Sequence, residues 1–375
     1  MRHIPPPPLY RSLYSRLIKL LPQECDSRVT NMVYLMMGIF LAKKVQTGVI
    51  ATKIPVRAKR VSIMRRLERF LDNKAVRVRA WYETVSVGLL SAAAASGQVH
   101  LIIDATKVSF HHQLVLVAVA YHGRALPIAW TWLPHSRGHS TQQQQLAVLR
   151  YVKGLLPAGV QVSLVGDTEF GHTLIIEELT VWRWQYALRQ SGHNLVMTRH
   201  ASAFQPLESL LTTVGDWLFM PSVVLTQASP YPTNLMLCWL RGEARPWLLA
   251  TNLTHPPAVL RLYVRRMWIE ELFLDLKGHG FDLESSHLRS FRHLSRLTLA
   301  VALLYVWLVT EGSQALIQGR ATLVDRTDRR DLSVFRIGRE LIDQALTWGE
   351  AFIVDFLPVF DLSSVPFFSS ESTVG

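Results

Sequence analysis

The sequence predicts an α/β fold: a mixed sheet flanked by helices, with a β-rich insertion and a helical N-terminal region. Two observations carry this expectation. Three apolar, β-branched runs, "QVHLIIDATKVSF", "QLVLVAVAYHG" and "RALPIAWTWLP", are separated by short polar turns and read as a meander. Behind them helical and strand-like runs alternate, the pattern of a sheet covered on both faces. Hydrophobic residues make up 49% of the 375-residue chain, enough to bury a large core and to exclude a disordered polypeptide.

In chain order, residues 1–97 read as helical and basic. "SIMRRLERFLDN" spaces Ile63, Leu67, Phe70 and Leu71 along one helical face, with Ser62 as the expected N-cap. From Lys53 to Arg79 there are ten Lys or Arg and only two acids, Glu68 and Asp72. Arg65, Arg66 and Arg69 make this helix the candidate for docking onto a duplex, although a solvated helix face has the same pattern. Residues 98–199 hold the meander, a helix over "STQQQQLAVLRYVKGLLP", the buried strand "VQVSLVGD", a helix over "GHTLIIEELTVWRW" and the strand "QYALRQS". Short β-like runs with turn residues between them occupy 200–257. Residues 258–319 return to helix, and 320–375 form a helical tail to which no role is assigned.

The net charge of +12, from 40 Lys and Arg against 28 Asp and Glu, makes a polyanion the first partner to consider. Two cysteines, Cys25 and Cys238, exclude a disulfide framework and a cysteine-based zinc site, and suit a reducing cytoplasm. The opening "MRHIPPPPLY" has no signal-peptide pattern. The most apolar run, "LTLAVALLYVWLV", falls short of the roughly 20 residues that span a bilayer and reads as a buried core helix, with no membrane partner.

Acidic residues at the ends of apolar runs are the candidates for chemistry. Asp104 follows Leu101-Ile102-Ile103, and Asp167 follows "VSLVG". A charge beside a buried strand is costly unless paired or bound to a cation, though either residue could be a simple turn or cap carboxylate. Two such aspartates on one sheet can converge on a hard divalent cation such as Mg²⁺, which prefers oxygen ligands. Glu169 is a competing ligand. His111 and His112 read as exposed turn histidines rather than metal ligands.

The run "YVRRMWIEELFLDLKG" provides a third acid. On a helix turning about 100° per residue, with Arg266 at zero, Glu270 lies near 40°, Lys277 near 20° and Tyr263 near 60°. Ile269, Leu272, Phe273 and Leu276 gather on the core-facing stripe, whereas Glu271 and Asp275 fall away from both. The projection therefore separates two adjacent glutamates. An ordinary i,i+4 ion pair between Arg266 and Glu270 is the plainer explanation, but it leaves Tyr263 and Lys277 unexplained.

Tyr263, Arg266, Glu270 and Lys277 resemble the Y-(2)-R-(3)-E-(6)-K signature of DDE transposases of the insertion-sequence-four type, and "IIDATKV" and "LVGDTEFGHTLIIEEL" are similar to that family's two aspartate segments. The likeness covers about residues 98–311. It implies an RNase H-like catalytic core split by the β-rich insertion, with Asp104, Asp167 and Glu270 holding two Mg²⁺ ions (Mn²⁺ as a substitute) for cleavage and transfer of DNA strands. It further implies that Arg266, Lys277 and Tyr263 grip the DNA end, and that Trp247, or else Trp268, stacks a flipped base if excision passes through a hairpin. The partners implied are double-stranded DNA, as terminal inverted repeats and target, and a second copy of the chain; the location implied is the bacterial nucleoid. The sequence departs from the family at Thr168, where an arginine often follows the second aspartate. A nuclease on the same fold that cleaves without joining, and an inactive DNA-binding descendant, are the alternatives.

Overall fold

Near-unbroken apolar runs become central strands where the sequence places them. The computed structural model describes residues 7–108, 112–133, 140–199, 201–226 and 228–365. Five helices come first: α1 (Pro8–Leu20), α2 (Asp26–Ala42), α3 (Thr47–Ile50), α4 (Arg60–Asp72) and α5 (Val78–Ala94). The meander β1 (Gln98–Val108), β2 (His112–Tyr121) and β3 (Arg124–Leu133) follows, then α6 (Gln142–Leu155), β4 (Gln161–Gly166), α7 (Thr173–Val181) and β5 (Gln185–Arg189). Strands β6 (Leu195–Met197), β7 (Gln205–Pro206), β8 (Trp217–Leu225), β9 (Tyr231–Cys238) and β10 (Trp247–Thr251) come next. Helices α8 (Pro256–Val264), α9 (Met267–Leu276), α10 (Phe291–Ile317) and α11 (Val334–Trp348) end the described order.

The ten strands of the described residues form one mixed sheet in the order β3-β2-β1-β4-β5-β10-β9-β8-β6-β7. β1 runs antiparallel to β2 and parallel to β4, and β5 is parallel to β4. β2 is buried along nearly its whole length, as expected of a strand covered on both faces. Helices α5, α6, α9 and α10 pack on the meander, and α7 and α8 pack on β4 and β5. This is the fold class expected from the sequence.

The segment expected as a β-rich insertion over 200–257 carries strands β7 to β10. β10 pairs antiparallel with β5 and β9 pairs with β10, so these strands continue the same sheet. A reason is that β5 would otherwise present a row of unpaired backbone groups. The N-terminal helices are likewise joined to the rest. α2, α4 and α5 pack on α10, and the buried Arg296 of α10 donates to the carbonyls of Leu71 (2.6 Å) and Val76 (3.0 Å). α4 buries Ile63, Leu67, Phe70 and Leu71 as predicted, but it begins at Arg60 and carries no side-chain cap, so Ser62 lies inside its first turn.

Three further expectations change. The apolar run lies within a 27-residue helix, α10, which by length and composition alone could cross a membrane; 89% of its most apolar window is buried inside the protein. His112 is not an exposed turn residue: it opens β2, is buried, and its Nε2 lies 2.9 Å from the Arg289 carbonyl. His111 lies outside the described residues. Finally, the signature run is two helices, α8 and α9, with a turn at Arg265–Arg266 between them.

Candidate active site

Register brings the candidate aspartates together. The parallel ladder of β1 and β4 ends at the pair Ile103 and Gly166, and that of β4 and β5 ends at Gly166 and Leu188. The next residues on these three strands are Asp104, Asp167 and Arg189. Neighbouring strands lie about 4.8 Å apart, so two carboxylates and a guanidinium-bearing residue start in one row where the parallel ladder opens. Asp104 does not end its strand, because β1 continues beside β2 to Val108. Gly166 is needed for the close approach: a Cβ there would stand 3.0 Å from side-chain carbons of both Ile103 and Phe170.

Asp104 is nearly buried, and its carboxyl is pushed up to about 7 by burial, with Asp167 and Glu270 adding to the rise. Arg266 and the Ala105 N–H, which donates to Oδ1 at 2.7 Å, oppose it. Arg266 sits at the turn between α8 and α9 and is itself buried. Its Nη1 donates to Asp104 at 3.1 Å, and its Nη2 donates to Glu270 in the first turn of α9. The i,i+4 pair is therefore present, but the same guanidinium also reaches the first aspartate across the sheet. Its Nε is buried with no hydrogen-bond partner among the described residues.

Other sequence candidates are distributed differently. Tyr263 is fully buried in α8, and its ring packs edge-on against Trp247 with centroids 5.1 Å apart. Burial pushes its phenol up to about 12. Trp247 is itself buried in β10, so in this conformation its ring has no free face for a base; packing of an aromatic pair claimed it for the core. Trp217 in β8, 63% exposed, is the open tryptophan of the same region. Trp268 is half-buried beneath the Arg265 guanidinium, 5.9 Å from its ring centroid. Lys277 leaves the helical stripe, since α9 stops at Leu276, and its ammonium pairs with Glu284 at 3.1 Å. On α4, Arg65 and Arg69 are exposed. Arg66 instead ties α4 to α2, donating to Asn31 Oδ1 at 2.5 Å and covering the Tyr34 ring at 4.8 Å.

Glu169 is not a competing ligand in this arrangement. Its carboxylate accepts from Ser140 and Gln113, turned into a polar network beside the turn that carries Asp167. Sequence reasoning also missed Arg189, which comes directly after the last pair of the parallel ladder just as Asp104 and Asp167 do. Arg189, Arg245, His193 and Trp239 join Asp167 in lining a cavity of about 910 Å³. The signal for Arg189 was visible only once β5 was known to lie parallel to β4.

The two neighbours of Glu270 on α9 form a second group. Arg124 Nη1 lies 2.9 Å from both Glu271 and Asp275. Glu271 is largely exposed, as projected, but Asp275 is buried rather than turned away from the core, because β3 brings Arg124 to it. Burial pushes the Asp275 carboxyl up to about 7, against the pull of Arg124. An acid whose folded pKa is raised has its stabilising effect fully present below its ordinary value near 3.8 and loses it as pH rises through about 7. Asp275→Asn removes this loss. The Tm difference between variant and wild type, measured by calorimetry from pH 4 to 8, is expected to shift in the variant's favour as pH rises; a difference that is flat with pH rejects the assignment.

The donor set fits a hard divalent cation: Asp104, Asp167 and Glu270 offer only oxygen. Among the described residues no group of three or more His, Cys, Asp and Glu side chains is gathered closely enough to hold an ion. The positive charge at the carboxylates is the Arg266 guanidinium, which holds Glu270 on its far side.

Among known proteins, the family described as "Transposase DDE domain" matches residues 95–307. No curated protein matches the chain. A solved structure similar to it is the piggyBac transposase synaptic complex with hairpin DNA, determined by cryo-EM, at 10% identity and a TM-score of 0.39, covering 90% of this chain and 77% of that one. The family match spans more than half of the chain and contains every carboxylate of the candidate site, so the chain belongs to the DDE-domain transposases and is a DDE-type DNA transposase.

Proposed function

We propose that this transposase binds the inverted-repeat ends of its own element and cuts and joins DNA strands with Asp104, Asp167 and Glu270 as its catalytic carboxylates. The observation that carries this reading is the juxtaposition of Asp104, Glu270 and Arg266, with Asp167 next to Asp104 in strand register. The spacing of Tyr263, Arg266, Glu270 and Lys277 supports the insertion-sequence-four type in particular. DDE transposases are generally dependent on divalent metals, and two Mg²⁺ ions, with Mn²⁺ as a substitute, are proposed here. Bound there, such ions supply charge stabilisation of a phosphodiester under in-line attack by water or a 3′-hydroxyl.

The chain's own residues have separable tasks. Asp104 and Asp167 hold oxygen ligands at the open end of the sheet. Glu270 completes the set once it is released from Arg266, and a DNA phosphate is the acceptor that can release it, because a guanidinium binds phosphate oxygens in the same forked geometry as carboxylates. Tyr263 supports the site from beneath by packing on Trp247. Lys277, Arg65 and Arg69 contact phosphates outside the site, and the excess positive charge draws the duplex in. A homodimer assembled on paired ends, acting within the bacterial nucleoid, completes the proposal. Hairpin stacking on Trp247 is not part of it, because that ring is packed.

The test is incubation of the purified protein, Mg²⁺ and a labelled duplex ending in the repeats that flank its reading frame. The expected products are cleaved ends joined covalently to target DNA. Cleavage without joined products would make the protein a nuclease, and neither would make it a DNA-binding descendant.

A further inference from the structure

Asp167 has little to aim it. Among the described residues its carboxylate accepts a hydrogen bond from the Thr168 hydroxyl alone, at 3.4 Å, and it makes no cap bond to the 3₁₀ turn Thr168–Phe170 that follows. Its direction therefore depends on how firmly that turn is held. Phe170 anchors one side, being buried beneath the sheet. Gly171 lies so close to β5 that a Cβ would stand 2.3 Å from the Arg189 carbonyl.

The remaining residue of the turn is Glu169. Its Oε1 accepts from the Ser140 N–H at 2.6 Å and from the Ser140 hydroxyl, while Gln113 Nε2 donates to its Oε2 at 3.1 Å. Its backbone carbonyl accepts from Gln145 Nε2 at 3.0 Å, and the same amide donates to Ser140 Oγ at 2.8 Å. Ser140, Gln113 and Gln145 are all buried. The network spans three elements: Gln113 on β2, opposite Lys107 of β1, Gln145 in the first turn of α6, and Ser140 just before it.

From this geometry we infer that Glu169 is a positioning residue: through the turn it shares with Asp167, it fixes where the Asp167 carboxylate lies relative to Asp104. The inference rests on the reading of Asp167 as a metal ligand. A glutamate is suited to the task because a carboxylate can take several donors at once, and charge-assisted bonds to buried donors are both shorter and stronger than neutral ones. A carboxylate drawn into several donor contacts is unsuited to hold a metal itself, so the two acids of "DTE" divide the work between ligand and brace.

The experiment measures Mn²⁺ binding to the full chain by calorimetry, and DNA cleavage in parallel, for Glu169→Ala, Glu169→Gln, Ser140→Ala and Asp167→Ala. Loss of a group that orients a metal ligand typically weakens metal affinity or activity by about 10–100-fold. Glu169→Ala is expected to weaken Mn²⁺ binding and lower kcat by about that factor, with KM for DNA within about 2-fold of wild type. Glu169→Gln, which keeps an acceptor oxygen for Ser140, is expected to recover part of the loss, and Ser140→Ala to give a milder version of it. If Glu169→Ala does not fold, the Glu169→Gln and Ser140→Ala variants carry the same comparison. A Glu169 variant with reduced Tm but wild-type Mn²⁺ affinity and kcat below its Tm overturns the inference. Should Asp167→Ala itself leave Mn²⁺ binding and cleavage unchanged, the reading of Asp167 falls first, and the two failures are thereby told apart.

Discussion

Glu270→Gln is expected to abolish Mg²⁺-dependent cleavage of end-containing DNA, whereas Glu271→Gln, one residue along, leaves it within about 3-fold. The loss at Glu270 is at least about 10³-fold, or ~4 kcal/mol of transition-state stabilisation. The substitution keeps the side chain's shape and an acceptor for Arg266, so the expected loss cannot be ascribed to a collapsed helix. Glu271 instead shares Arg124 with Asp275 on β3's side of α9 and is largely exposed, where an ion pair is worth about 1 kcal/mol or less. Asp104→Asn and Asp167→Asn are expected to be as inactive as Glu270→Gln. Asp104→Asn should also keep or raise the Tm, because it removes a carboxylate whose charge is disfavoured by burial. Single-turnover cleavage rates beside calorimetry give the comparison; near-wild-type cleavage by Glu270→Gln would sink the assignment.

The largest expected effect on stability is at Gly338. α10 and α11 cross so closely that a Cβ on Gly338 would stand 1.9 Å from the Leu308 carbonyl oxygen and 2.8 Å from the Gly312 nitrogen. Both are backbone atoms inside a helix, and no rotamer change relieves the overlap. Gly338→Ala must therefore push α11 off α10, loosening Phe335, Ile337, Leu341 and Ile342 from their packing. Overpacking in a core costs about 1–3 kcal/mol and occasionally more. About 3 kcal/mol is expected here because the obstacle is rigid, with a fall in Tm on the order of 5 °C. Gly154→Ala is the control. That glycine lies inside α6, and no atom of a neighbouring element stands within 4 Å of the point where an added Cβ would sit, so alanine should stabilise by roughly 0.5–1 kcal/mol. Equal thermal unfolding of Gly338→Ala and wild type would reject the close-contact account.

Local patterns were legible where the folded environment agrees with them. The apolar runs before Asp104 and Asp167 are buried strands, and helical spacing does put Arg266 and Glu270 together while leaving Glu271 largely exposed. Reasoning on one continuous helix failed at its two ends. A turn at Arg265–Arg266 interrupts the helix, Tyr263 is buried in α8 against Trp247, and α9 stops before Lys277. Asp275 was misplaced for a related reason: helix projection knows nothing of the Arg124 that β3 brings to it. How the β-rich segment joins the sheet, and what surrounds Trp247, could not be read locally because sheet pairing is a long-range event. Nothing within residues 200–257 says that β10 will dock on β5, or that Trp247 will meet Tyr263.

By itself the sequence determined the chain's periodicities, its charge and the acids that end its apolar runs, because each is a property of residue type and local spacing, and its resemblance to DDE transposases rested on the motifs those residues form. Only the tertiary structure decided which charges meet: that Asp104 shares Arg266 with Glu270, that Arg189 stands in line with Asp167, and that Glu169 turns away into its own network. The reason is physical. A partner's distance across a sheet is set by register and by the packing of helices far along the chain, and neither is written in the residues on either side of the group concerned.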